Sequence, residues 1–291
     1  MLRVVDRNTD KKPPKLSRAR GALRLSLKRR DDKTVLDDFY QQGCLKARFP
    51  AVEPGHICEA VLINTSGGLT DGDKLRQSFT WGDKTTARIT SQAAERIYRS
   101  RLEEAQITTR LTIGAQASAQ YLPQECILFN GGRLRRTNLI DMHKGSSLIA
   151  TESLVFGRTA MNETVTTGSI FESWRIRHEG ALVFADGFHL HGNINAQLAH
   201  PAIGHGARAL STLLFVAPDA ARHEPAMKKA CKAHSDDHTK VGCSLLPRLL
   251  IIRILGADGA RMRAALSGLL QELMARTSPT TSTNLPKVWL C

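Results

Sequence analysis

Apolar and polar side chains alternate with a period of two through much of this chain, the spacing that places successive residues on opposite faces of a strand. The alternation is clear in LRLSL (23–27), TVLDDF (34–39), ICEAVLI (57–63), TARITS (86–91) and ITTRLTI (107–113). It continues through ASAQYLP (117–123), CILFN (126–130), SLIATESLVFG (147–157), SIFESWRIRH (169–178) and ALVFADGFHL (181–190). Gly, Asn and Asp separate these runs, as turns require. At least ten strands are therefore predicted before any helix, and Gln92–Glu104 reads as turn or loop.

The spacing changes after about residue 218. Asp219 is placed to cap a helix through AARHEPAMKKACKAH, where Pro225 fits only near the first turn. GCSLLPRLLIIRILG then reads as one or two buried strands. Asp258 is placed to cap a second helix, in which Met262, Leu266, Leu269, Leu270 and Leu273 recur at intervals of three and four. Both helices are expected to lean on the sheets. The tail SPTTSTNLPKVWLC turns from polar to apolar at Val288, Trp289 and Leu290, and that end is expected to dock.

Composition narrows the class. With 42% hydrophobic and 23% charged residues over 291 positions, the chain has the makeup of a folded globular protein with a sizeable core. The net charge of +14 is unevenly spread: Met1–Lys33 carries twelve Lys/Arg against four Asp/Glu. Residues 1–20, with Pro13 and Pro14, read as a flexible basic arm, and residues 21–291 as a single domain. Six cysteines without a C-x-x-C pair suit reduced thiols and a cytoplasmic location. No apolar run reaches the length of a membrane span, and Asp6 and Asp10 argue against a transit peptide.

The densest polar motif is NTSGGLTDGD (64–73), in which Asn64, Gly67, Gly68 and Gly72 allow tight turns. It lacks the Gly-Lys-Ser/Thr of a phosphate loop, and the following residues return to a strand. Glu95 and Glu125 sit among small and apolar neighbours, where a lone acid needs a partner such as Arg96, Arg99 or Arg133. The sharper alternative is a polar channel or metal-transit path lined by Asp73, Glu95, Glu125, Glu152, Glu163 and Asp186. His189 and His191 share one face of a strand and are weak metal candidates, with no third ligand at motif spacing. His200/His205 and His234/His238 read as chance pairs. No motif of a catalytic nucleophile occurs, so an enzyme is not expected.

Six collinear motifs carry a resemblance: NTSGGLTDGD (64–73), TSQAAERIYRS (90–100), YLPQECILFNGGRLRR (121–136), ESLVFGRTAMNE (152–163), RIRHEGALVFADG (175–187) and LPKVW (285–289). Together they resemble the urease accessory proteins of the UreD family, called UreH in some organisms, from Gly21 to Trp289. Tyr121, Asp71 and Asn162 depart from the residues common at those places, each by a conservative or turn-compatible change.

The resemblance implies a mainly β fold, a β-helical stack of short strands with two helices near the C-terminus. It also implies a urease maturation chaperone that binds apo-urease, joins a UreF-family partner and, through it, a UreG-family GTPase, so that nickel reaches the urease metallocentre. No tightly bound cofactor is expected, only transient Ni²⁺, and no membrane or nucleic acid. On this reading Asp73, Glu95, Glu125, Glu152 and Glu163 line or flank an internal nickel passage through oxygen ligands. Leu266, Leu270, Leu273 and Trp289 are the expected partner-binding surface. The competing reading is a basic module whose arm engages nucleic acid or an acidic surface, and the scarcity of aromatics counts against RNA.

Overall fold

The computed structural model describes residues 18–51, 57–158, 161–277 and 284–290. The first strands are β1 (Arg20–Arg30), β2 (Lys33–Gly43), β3 (Leu45–Arg48), β4 (Cys58–Asn64), β5 (Lys74–Trp81) and β6 (Thr86–Ser91). Next come β7 (Glu95–Ile97), β8 (Ala105–Ile113), β9 (Ser118–Leu122), β10 (Cys126–Leu128), β11 (Arg133–Met142), β12 (Ser147–Phe156), β13 (Ser169–His178) and β14 (Ala181–His191). The last part holds α1 (Ile194–Ala199), β15 (Ala209–Val216), α2 (Ala220–Ala233), β16 (Thr239–Leu246), β17 (Leu249–Gly256) and α3 (Gly259–Thr277).

From β4 to β13 the chain passes back and forth between two sheets, while the pairs β1–β2 and β13–β14 each stay within one. One sheet has the order β14-β13-β11-β8-β5-β1-β2 and the other β16-β17-β15-β12-β9-β6-β4-β3, with β10 bridging β12 and β7. The strands β5, β8, β11 and β13 are parallel, as are β4, β6, β9 and β12. The result is a solenoid-like stack of about four turns, as the resemblance implied. The alternation seen in the sequence is the cause: one set of side chains fills the space between the sheets and the other faces outward.

At one end the β1–β2 hairpin closes a sheet, with β2 as an exposed edge strand. Its outer face carries the ion pairs Lys28–Asp37 (2.7 Å) and Arg24–Asp38 (3.0 Å). Arg18 and Ala19, assigned by sequence to the arm, are tied in: the Arg18 guanidinium meets Asp71, and Ala19 N–H donates to Asp73 at 2.7 Å. The rest of the arm lies outside the described residues.

Both C-terminal helices lie where the sequence puts them, against the outer face of the second sheet. Asp258 caps α3 by accepting from Arg261 N–H at 2.8 Å. Asp219 stands at the start of α2 without capping it; its carboxylate pairs with His223 instead, at 3.3 Å. The short α1, capped by Asn193, and β7, inside the stretch expected to be loop, are additions to the sequence reading.

The expected partner surface is corrected here. Leu266, Leu270 and Leu273 are at most 1% exposed and Trp289 is 6% exposed. They form a second core with Leu213, Phe215, Leu250, Ile252 and Ile254 from the outward faces of β15 and β17. A sheet apolar on both faces needs a covering layer, and the stripe on α3 supplies it. Trp289 is fixed by an indole N–H bond to Thr90 Oγ1 at 3.0 Å and by Arg263, whose guanidinium lies 5.3 Å from the ring centroid.

Candidate functional site

Strand register shows where the interior changes character. One row across the first sheet reads Leu25, Phe79, Leu111, Ile140 and Ile176, all buried and apolar. Two residues along the strands the row is Leu23, Gln77, Thr109, Asn138 and Trp174, and two further it is Gly21, Leu75, Ile107, Arg136 and Glu172. Polar groups thus form a strip on an inward face. The opposite sheet adds Tyr121 and Glu152; Glu152 lies in phase with the inward Leu148, Ala150 and Leu154.

Around this strip the packing opens into a cavity of about 230 Å³, lined among others by Gln77, Glu95, Tyr121, Arg136, Asn138 and Glu152. Asn64, Gly67 and Gly68 form part of its rim. A much smaller hollow, about 20 Å³, lies beyond it and is lined by Glu152, Glu172, Trp174, Asp186 and Arg253. Glu152 and Trp174 belong to both walls, so the two spaces are neighbours across those side chains.

The carboxylates here outnumber the cations. Glu152 accepts from Asn138 Nδ2 at 3.0 Å and from Trp174 Nε1 at 2.7 Å, and its Oε1 lies 3.1 Å from Arg136 Nε. Arg136 Nη2 also meets Glu172 Oε1. These guanidinium contacts are ion pairs without aligned hydrogen bonds, so Arg136 Nε and Nη2 and Glu172 Oε1 keep unused hydrogen-bonding capacity. Burial pushes the Glu172 carboxyl well above its usual range, against the pull of Arg136, and neighbouring Glu152 adds to the rise. Burial also opposes the charge on Arg136, but Glu172 and Glu152 more than reverse this and keep it cationic.

Glu95 is the third acid. Its two oxygens accept from Asn64 Nδ2 at 3.0 and 3.1 Å, and burial pushes its pKa up to about 7. Asn64 is held in turn by Ser66, whose N–H and hydroxyl donate to Asn64 Oδ1 at 3.0 and 2.7 Å. Gly68 has φ of 143°, and a Cβ there would lie 2.4 Å from the Tyr98 ring and 2.8 Å from Arg96 O, so the motif needs glycine at this position.

The family model described as "UreD urease accessory protein" matches residues 19–290. The chain belongs to the UreD family. It is 36% identical to the urease accessory protein UreD of Sinorhizobium medicae over 272 residues, covering 94% of this chain and 96% of that one. It is likewise 36% identical to UreD of a Brucella suis strain over 278 residues, and 35% identical to UreD 3 of a Bradyrhizobium strain over 274. The respective coverages are 94% and 95%, and 94% and 94%. UreD membership supports a role in urease maturation, and the relatives are named as accessory proteins.

Within this UreD fold the five acids singled out by sequence separate. Only Glu95 and Glu152 reach the cavity. Asp73 accepts from Ala19 N–H and Thr70 N–H, at 2.7 and 2.8 Å, and holds a turn. Glu125 receives Arg263 Nη1 at 2.7 Å on each oxygen and fastens α3. Glu163 pairs with Arg158 at 2.8 Å, and that guanidinium holds its pKa below the usual value. Each of these three has a local structural partner in place of a path. Gly67 and Gly72 adopt φ of 76° and 75°, which suits the turns predicted.

His189 and His191 are exposed, with ring centroids 6.4 Å apart, and His189 packs on Phe171. Among the described residues no three His, Cys, Asp or Glu side chains are grouped to hold a metal ion. Sequence reading missed Glu172 and Arg136. The signal was present: Ile170, Glu172, Trp174 and Ile176 share one strand phase, as do Leu134, Arg136, Asn138 and Ile140. An ionisable group in phase with buried apolar residues faces the core.

Proposed function

We propose that this protein is a urease maturation chaperone in the cytoplasm that binds apo-urease, recruits UreF- and UreG-type partners, and offers incoming Ni²⁺ a passage between its two sheets. The observation that carries the passage is the pair of hollows meeting at Glu152 and Trp174, with Glu95, Glu152 and Glu172 set against the interior guanidinium of Arg136. Oxygen donors spread along a path bind a divalent cation weakly enough to release it, whereas a closed Cys/His cage would retain it. Asp186, paired with Arg253 at 2.8 Å, stands at the far side of the smaller hollow. The conduit reading therefore passes to Glu95, Glu152 and Glu172, while Asp73, Glu125 and Glu163 take supporting roles.

The test is co-expression of urease subunits with nickel and all accessory proteins, with or without this chain. Activity should require the chain; equal activity without it would end the maturation reading. In the same system the triple variant Glu95→Gln, Glu152→Gln, Glu172→Gln should lower urease nickel content while remaining in the accessory complex. Full nickel loading by that variant would eliminate the conduit and leave the scaffold.

A further inference from the structure

A second region of the molecule borders the cavity at Arg96 and otherwise lies outside it. The connections leading into β7, β8, β10 and β11 meet at one corner of the stack, where Arg96, Arg99 and Arg101 are exposed and Arg133 is half-buried. None of the four forms an ion pair with a described carboxylate, unlike Arg135 with Glu104 and Arg158 with Glu163 close by. Tyr98, 38% exposed, and Leu102, 81% exposed, stand among them.

The corner is rigid. Leu69 N–H donates to Arg96 O and Tyr98 N–H to Leu69 O, both at 2.7 Å, while Phe129 N–H donates to Ile97 O at 3.0 Å. Ser100 N–H reaches Gly131 O at 3.0 Å, and Thr70 Oγ1 donates to Arg99 O at 2.8 Å. Arg133 Nη1 donates to Leu102 O at 3.4 Å. The Arg99 side chain lies across Gly131, so close that a Cβ there would come within 2.8 Å of Arg99 Cγ. Its backbone is therefore set before any partner arrives, which lowers the entropy lost on binding.

We propose that this arginine corner is a docking face for an acidic segment of a partner protein, with Arg96, Arg99, Arg101 and Arg133 receiving carboxylates and Tyr98 and Leu102 receiving an apolar residue. The cations are Arg throughout: residues 94–143 contain seven Arg and no Lys. Guanidinium matches carboxylate in a two-pronged geometry, and Arg with Tyr is the composition that concentrates binding energy at protein interfaces. One feature disfavours nucleic acid. Phe129 is not open for base stacking, because Arg158 lies 4.5 Å from its centroid and Tyr98 packs edge-on at 5.1 Å.

The test uses the full chain and a fluorescent dodecapeptide of repeated Glu-Asp-Leu, read by anisotropy. Binding should weaken as salt rises from about 50 to 200 mM. It should also fall about tenfold or more in the double variant Arg96→Glu, Arg99→Glu. The control Arg24→Glu, Lys28→Glu, on the distant β1–β2 hairpin, should stay within about twofold. Circular dichroism confirms that each variant is folded, since all these positions are exposed. No peptide binding at millimolar concentration, or equal loss in the control, would overturn the proposal. Tighter binding of single-stranded oligouridine than of the peptide, lost in the same Arg variant, would also overturn it in favour of nucleic acid.

Discussion

Two rows of inward side chains, only two residues apart along the same strands, are built for opposite purposes. Leu25, Phe79, Leu111, Ile140 and Ile176 interlock without polar atoms, whereas Gln77, Asn138 and Trp174 border a hollow lined by hydrogen-bonding groups. Both rows hang on the same parallel ladder, so the backbone does not distinguish them. The difference lies in the side chains: one row gains stability from dense packing, and the other gives up some of that gain to keep a polar space open.

The largest change should come from hollowing the apolar row. Phe79→Ala should cost about 3 to 5 kcal/mol in denaturant titration, because a fully buried ring would leave a cavity that the rigid ladder cannot close. A loss below about 1 kcal/mol would show that this row is no tighter than its neighbour.

Next in size is a pH effect in the polar region. Glu95 is raised from 4.5 to about 7, so the folded state holds a proton that the unfolded state has already released. Stability from this group is fully present below pH 4.5, declines as pH rises, and is lost above about 7. The gap corresponds to about 3 kcal/mol. Glu95→Gln should therefore match the parent near pH 4.5 and exceed it at pH 8, flattening the pH–stability curve. A curve with unchanged slope would place the titration elsewhere.

Gln77→Leu should be smaller, within about 1 kcal/mol, because Gln77 Oε1 accepts only long bonds from Thr109 and Tyr121, both 3.4 Å. If the polar row serves nickel transit, this substitution should still lower urease nickel loading in co-expressing cells. That combination, stability kept and loading reduced, would separate the rows most cleanly. Smallest of all, Arg96→Ala should alter stability by less than about 0.5 kcal/mol, since its exposed guanidinium forms no ion pair and its pull on Glu95 ranks below burial and the hydrogen bond from Asn64.

Much of the architecture was legible because period-two alternation reports directly on a stack filled from one face of each strand. The helix stripe from Met262 to Leu273 was equally clear, yet its meaning was misread. A stripe shows that a face is covered without saying what covers it, and here β15 and β17 are the partners. The acids were harder for the same reason. Sequence shows that Glu125 and Glu152 both have apolar neighbours, but only the fold reveals that Arg263 satisfies one while Arg136 is shared by the other with Glu172. Such pairings span strands and helices far apart in sequence, 138 residues for Glu125 and Arg263.

The β1–β2 hairpin has a consequence beyond closing a sheet. A parallel stack offers at its end a row of free backbone groups that could template another copy, and repeated addition would draw a filament. The chain turns back instead, and the terminal strand β2 carries Asp37 and Asp38 on a mostly exposed surface. A second molecule approaching that edge would have to bury these charges, which works against growth from β2.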